Sequence, residues 1–210
     1  MKQQTLRSLC VAGGLYALAV FLPASATALD ISTLGTSITA GNRWQPVVQQ
    51  MLEGCGLGPV HIGNFGRAGQ TIVWGLDHVG PAVQAKPDIL IVEFAINDAL
   101  FDKGTSPAEA ERLTRLLIST AKRESPSTRI YLLITNDAQG QQAEKRPELK
   151  AHYESYRKLS LEQGVGLIDT ESLWHVLGNR ALRDDLHPTN EGYKKILAPA
   201  VVAALAPNCR

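Results

Sequence analysis

Three short blocks at or near the ends of apolar runs, and a fourth near the C-terminus, hold residue types that together can cleave a carboxylic ester. Ser37 ends the run in ISTLGTSITAGN (31–42), NFGRAG (64–69) contributes Gly66 and Gly69, Asn97-Asp98 follow DILIVEFAI (88–96), and Asp184 and His187 lie in RDDLHP (183–188). A serine hydroxyl is a weak nucleophile at neutral pH and needs a base beside it. Histidine suits that task because its pKa lies near the working pH, and a carboxylate on its other ring nitrogen fixes the tautomer and stabilises the imidazolium. Attack on a carbonyl creates an oxyanion, which requires N–H donors aimed at it; bare glycine backbone and an uncharged asparagine amide both qualify. Taken singly, each block also has a plain structural reading: Ser37 as a helix N-cap, the glycines and Asn-Asp as turn residues, the Asp-x-x-His spacing as chance. Their occurrence together, in this order, sets them apart.

The elements that would position these residues can be read from the hydrophobic pattern. LDISTL (29–34), VHIGN (60–64), DILIVEF (88–94), IYLLIT (130–135) and VGLID (165–169) read as five strands, two of them nearly continuous in Ile, Leu and Val. Such strands are buried on both faces, as in a parallel sheet covered by helices. Between them, Trp44, Val47, Val48, Met51 and Leu52 share one helical face, and Ile196, Leu197, Ala200, Val201, Ala204 and Leu205 another. Ser106 and Glu109 have capping-box spacing, with Pro107 at the first helical position. The most polar stretch, NDAQGQQAEKRPELK (136–150), reads as a solvated loop running into a helix. Alternation of this kind predicts a three-layer α/β domain, whose ligands bind beyond the carboxyl ends of the strands. The candidate residues 37, 64–69 and 97–98 all fall directly after predicted strands.

In these blocks the chain resembles the SGNH, or GDSL-like, hydrolases from Gly35 to Tyr193. Gly35-Thr36-Ser37 is similar to the family's Gly-Asp-Ser block, Asn64 through Gly69 to its glycine block, Ala95-Ile96-Asn97-Asp98 to its Gly-x-Asn-Asp, and Asp184-Asp185-Leu186-His187-Pro188 to its Asp-x-x-His-Pro. Thr36 and Ala95 depart from the usual aspartate and glycine. The resemblance implies a flavodoxin-like sandwich with a five-stranded parallel sheet, and ester hydrolysis without metal or cofactor. It assigns Ser37 as nucleophile, His187 as base and Asp184 as the carboxylate behind it, and the backbone N–H groups of Ser37 and Gly69 with the Asn97 side chain as oxyanion donors. A carbohydrate- or lipid-binding relative with little catalysis, or an acyltransferase, are the alternatives it leaves.

Other features bound the function. Lys2 and Arg7, an apolar run from Leu9 to Leu22 and the small residues at 24–28 have the layout of a secretory signal peptide cleaved near 26–28. The run's 14 residues fall short of the ~20 needed to span a bilayer, so no membrane insertion is expected once the signal is removed, and the domain of 29–210 would be periplasmic or extracellular. Removing two basic residues leaves 19 Lys and Arg against 20 Asp and Glu, a balance that argues against a nucleic-acid partner. Cys55 and Cys209 remain, either as two free thiols or as a disulfide closing a loop of roughly 150 residues, worth about 5 kcal/mol in the chain-entropy model. His61, His78 and His152 lack metal-ligand spacing, as does His175. Glu93 and Asp98 suggest a glycosidase pair only weakly, and Glu93 is expected to be a buried hydrogen-bonding residue. The substrate class is a small-molecule, polysaccharide or lipid ester; nothing in the pattern indicates the oligomeric state.

Overall fold

The computed structural model describes residues 27–209; residues 1–26, which hold nearly all of the expected signal peptide, lie outside the described part. In chain order the elements are β1 (Leu29–Gly35), α1 (Ser37–Ala40), α2 (Gln45–Gly54), β2 (Val60–Asn64), α3 (Ile72–Gln84), β3 (Ile89–Glu93), α4 (Ala95–Asp98), α5 (Pro107–Glu124), β4 (Arg129–Ile134), α6 (Gly140–Glu144), α7 (Leu149–Gln163), β5 (Gly166–Asp169), α8 (Asn190–Gly192) and α9 (Ala198–Leu205). The five strands form one parallel sheet in the order β2-β1-β3-β4-β5. This is the doubly wound, three-layer arrangement expected from the pattern.

The topology follows from hydrophobicity and handedness. Ile89, Leu90, Ile91 and Val92 are each 1% exposed or less, so β3 is covered on both faces, as its unbroken apolar run requires. Right-handed crossovers then place helices by the direction in which the chain moves. Strand β2 lies to one side of β1 and the rest to the other, so α2 packs with α9 on one face while α3, α5 and α7 pack together on the opposite face. The strand order reverses at β1, between β2 and β3. That switch point is where a crevice opens at the carboxyl ends, and the segments leaving β1, β2 and β3 there are the first three of the four candidate blocks.

Two local expectations need correction. Ser106 does cap α5, its hydroxyl accepting from the Glu109 N–H at 3.3 Å. The reciprocal half of the box is replaced, because the Glu109 carboxylate takes the Arg112 guanidinium at 2.9 and 2.8 Å; an ion pair one turn along the helix competes successfully for an exposed carboxylate. The polar stretch 136–150 is not simply a solvated loop. Asn136 is fully buried and Arg146 is 5% exposed. The Arg146 Nε donates to the Ile96 carbonyl at 2.8 Å, and its Nη1 to Gln142 at 2.7 Å. A buried guanidinium is tolerated because these acceptors replace water.

Cys55, at the end of α2, and Cys209, just after α9, are disulfide-bonded, with Cα atoms 5.4 Å apart. The link joins the two helices that cover one face of the sheet. No helix among the described residues is long and apolar enough to cross a membrane.

Candidate active site

β1 ends at Gly35, and a short helix starts two residues later. Thr36 has extended backbone and caps α1, its hydroxyl accepting from the Ile38 N–H at 3.3 Å. Ser37 is therefore the first residue of a short helix, half-buried, with its side chain at the rim of the sheet. Its Oγ lies 2.9 Å from His187 Nε2, across 150 residues of chain. Behind the ring, His187 Nδ1 lies 2.9 Å from Asp184 Oδ1 and 3.0 Å from Oδ2.

Asp184 is held by more than the imidazole. Its Oδ1 also accepts the His187 backbone N–H at 2.8 Å, which closes a local turn and accounts for the three-residue spacing. Partial burial alone would raise the Asp184 pKa, but the hydrogen bonds from the His187 backbone and ring, with the nearby positive charge of Arg183, hold it below the usual carboxylate value. Asp185, next in sequence, turns away: it has φ +60° and its carbonyl accepts from the Gln139 N–H. The loop bearing His187 is further tied to the sheet by Asn136, whose Nδ2 donates to the Leu186 carbonyl at 2.8 Å. Asn136 lies two residues beyond the end of β4. Its place just beyond a strand's carboxyl end was the available signal, and the polar composition of the stretch concealed it.

The donors at the switch point come from three segments. Asn64 fixes the glycine loop to the Ser37 turn: its Nδ2 donates to the Thr39 carbonyl at 2.9 Å and its Oδ1 accepts from the Gly66 N–H at 2.9 Å. The Arg67 N–H reaches back to the Gly35 carbonyl. Gly69 is exposed, with φ +75°, a conformation that disfavours any side chain, and there is open space where a Cβ would stand. Among the described residues the backbone N–H groups of Ser37 and Gly69 donate to no protein acceptor. Asn97 is 6% exposed, and its Nδ2 gives one bond, to the Gln70 carbonyl at 3.0 Å. That bond orients the amide against the glycine loop and leaves its second N–H available.

Beneath this rim lie two buried acids. Glu93 is 1% exposed; burial raises its pKa to about 7, less than it otherwise would because Thr36 and Thr39 donate to it. Asp98 is also 1% exposed and accepts the Ile72 N–H at 2.7 Å; burial, reinforced by repulsion from Glu93, raises its pKa to about 8. Glu93 is thus the buried hydrogen-bonding residue expected of it. The remaining histidines stand apart: His61 pairs with Asp30 at the surface, His78 stacks on Trp74, His175 is exposed, and His152 is buried with burial lowering its pKa to about 4. No group of three or more His, Cys, Asp or Glu among the described residues is placed to hold a metal ion. Of the aromatics near the blocks, Trp44 is wholly buried in the core and Phe101 is 76% exposed.

Comparison with known proteins finds the same fold in solved structures. The chain resembles a lipase/acylhydrolase from Enterococcus faecalis, with 22% identity and a TM-score of 0.76 over 87% of this chain and 97% of that one. It also resembles an acetylxylan esterase from Geobacillus stearothermophilus, solved as a catalytic mutant, with 20% identity and a TM-score of 0.73 over 85% and 94% of the two chains. A third similar structure, TesA, has 19% identity and a TM-score of 0.70 over 85% and 98%. These likenesses share the fold. No curated protein matches the sequence. The model of the GDSL-like lipase/acylhydrolase family matches residues 33–195, a span that begins within β1 and contains all four blocks, and the chain belongs to that family of hydrolases.

Proposed function

We propose that this hydrolase is an exported serine esterase in which Ser37, His187 and Asp184 form the catalytic triad and carboxylic esters are cleaved through an acyl-enzyme. The observation that carries the proposal is the hydrogen-bonded line from Ser37 Oγ through His187 to Asp184, with 2.9 Å at each junction. In the first half-reaction Ser37 Oγ bonds to the carbonyl carbon as its proton passes to His187 Nε2. The tetrahedral oxyanion is received by the N–H groups of Ser37 and Gly69 and the free N–H of Asn97. Collapse breaks the ester C–O bond, and the alcohol departs with the proton from His187. In the second half, water attacks the acyl carbon and gives His187 a proton, which then returns to Ser37 as the acid is released. Throughout, Asp184 keeps Nδ1 protonated and offsets the charge of the imidazolium.

The same proposal extends to location and substrate. The first 28 residues act as an export signal, placing the domain in the periplasm or outside the cell. Gly69 is exposed, Ser37 half-buried and Asp184 47% exposed, so the site is open. An open site suits short acyl groups carried on bulky alcohols better than long acyl chains that need an apolar tunnel. The acetylxylan esterase among the structural neighbours makes O-acetylated polysaccharides the first natural polymers to try.

The test is hydrolysis of p-nitrophenyl acetate, butyrate and octanoate by the mature chain beside its Ser37→Ala variant, followed by an acetylated xylan. Saturable turnover that vanishes in the variant and falls from acetate to octanoate is the expected result. Equal turnover by parent and variant would refute the serine mechanism. Tight ester binding without turnover would instead assign the chain a binding role.

A further inference from the structure

The hydrolytic steps leave the buried Glu93 unexplained. Glu93 closes the central strand β3, opposite Gly35 in the register with β1, and none of those steps uses its carboxyl group. Burying an ionisable group is costly unless donors compensate it, and a nonpolar side chain at the end of an otherwise apolar strand would have served packing alone. Instead three donors converge on it. The Thr36 N–H reaches Oε2 at 3.1 Å, the Thr36 hydroxyl lies 3.0 and 2.9 Å from the two oxygens, and the Thr39 hydroxyl lies 3.0 Å from Oε2.

The donors sit one residue before Ser37 and two residues after it. Both threonines are buried, at 1% exposure or less. A Cβ at position 35 would approach Thr39 Oγ1 to 2.6 Å and Glu93 Oε2 to 2.9 Å, so glycine at 35 is what lets the carboxyl fit under the turn. Thr39 passes the restraint outward, because its carbonyl takes the Asn64 amide at 2.9 Å and the Gln45 amide at 2.8 Å. Through Glu93, the central strand is thus joined both to the Ser37 turn and to the glycine loop. Threonine at 36 fits this arrangement, because both its hydroxyl and its backbone N–H donate to Glu93.

We propose that Glu93 is a positioning residue for ester hydrolysis: by gripping Thr36 and Thr39 it holds Ser37 Oγ toward His187 and the Ser37 N–H toward the oxyanion. The inference rests on Ser37 as nucleophile and deepens that assignment. Two reacting elements, the nucleophile and one oxyanion donor, belong to the single residue the clamp spans, so loosening it misaligns both. A displacement of about 1 Å at a reacting group costs roughly 100-fold in rate.

The experiment compares the mature parent with Glu93→Gln, Thr36→Val and Thr39→Val, and with Thr36→Ser and Thr39→Ser as conservative partners. Readouts are kcat and KM on p-nitrophenyl acetate, the rate and final extent of Ser37 labelling by a fluorophosphonate, and the urea midpoint. The valine and glutamine variants are expected to lose roughly 10- to 100-fold in kcat and in labelling rate while KM changes by less than about threefold. The serine variants, which keep the hydroxyl, should recover most of that loss. Parent-like kcat in folded valine and glutamine variants would overturn the proposal. So would a loss confined to the extent of labelling at a normal rate, or serine variants no better than valine, since either outcome means the contacts serve folding alone. A parent that is unlabelled, or matched in activity by Ser37→Ala, would sink the serine assignment itself; a labelled, active parent with indifferent variants would sink only the clamp.

Discussion

Raising the pH from 5 to 8 should destabilise this protein, opposite to the usual behaviour of surface carboxylates, because of two buried acids that a buried histidine opposes only in part. Glu93 has its pKa raised from 4.5 to about 7 and Asp98 from 3.8 to about 8, both mainly by burial, while burial lowers His152 from 6.5 to about 4. Each acid remains protonated in the folded chain after the unfolded chain has lost its proton. Its stabilisation is therefore complete below the unfolded pKa and disappears as the pH rises through the folded value. His152 acts the other way: between about pH 4 and 6.5 the unfolded chain binds a proton that the folded chain refuses, so its term rises with pH across that window. Two acids against one histidine leave a net loss of about one proton equivalent up to pH 6.5. Both acids act unopposed to about pH 7, and Asp98 acts alone to about pH 8. At roughly 1.4 kcal/mol per proton per pH unit, the fall from pH 5 to 8 is on the order of 4 to 5 kcal/mol. Urea unfolding followed by circular dichroism at pH 5, 6, 7 and 8, at constant ionic strength, measures it. Asp98→Asn, which keeps an acceptor for the Ile72 N–H, should flatten the segment between pH 7 and 8. Stability that is level or rising over that segment in the parent would mean Asp98 is ionised in the folded state and would refute the reasoning.

Asp184→Asn should lower kcat by up to roughly 10,000-fold by permitting the wrong imidazole tautomer, and less if water at this half-exposed carboxylate substitutes; steady-state kinetics on p-nitrophenyl acetate reads the loss. Asn97→Ala removes one of the proposed oxyanion donors and the tether to Gln70, so kcat should drop about 100- to 1,000-fold with little change in KM. Arg146→Ala leaves the Ile96 carbonyl without its donor and should cost roughly 1 to 3 kcal/mol in a urea melt. Cys55→Ser releases a link across 154 residues of sequence and should cost up to about 5 kcal/mol, with no direct effect on kcat because the bond lies outside the proposed triad and its donors.

How far the sequence was legible depended on the range of the forces involved. The strands at 60–64 and 29–34 were readable to within a residue because alternation and β-branching are local properties of the chain. The five-stranded parallel sheet could be anticipated because unbroken apolar strands cannot be left open to water. The capping box was half legible: the Ser106 bond forms within one turn, but whether Glu109 turned back to the cap or toward Arg112 was a contest between near-equal surface interactions. Asn136 and Arg146 were misread because polar composition reports average preference, whereas burial depends on which acceptors the fold brings near. Both residues found carbonyls 50 positions away in sequence.

The sequence by itself determined the residue types for the chemistry, the placement of three of the four blocks after strands, and the family to which the chain belongs. These are matters of order and local periodicity, and they hold whatever the side chains later touch. Only the tertiary structure decided that Ser37 and His187 meet at 2.9 Å, and that Glu93 grips both flanks of Ser37. Only there, too, do Glu93 and Asp98 become acids whose protons persist toward neutral pH. The physical reason is that hydrogen-bond geometry and desolvation act over a few ångströms in space, and those distances exist only once the sheet has brought the ends of its strands together.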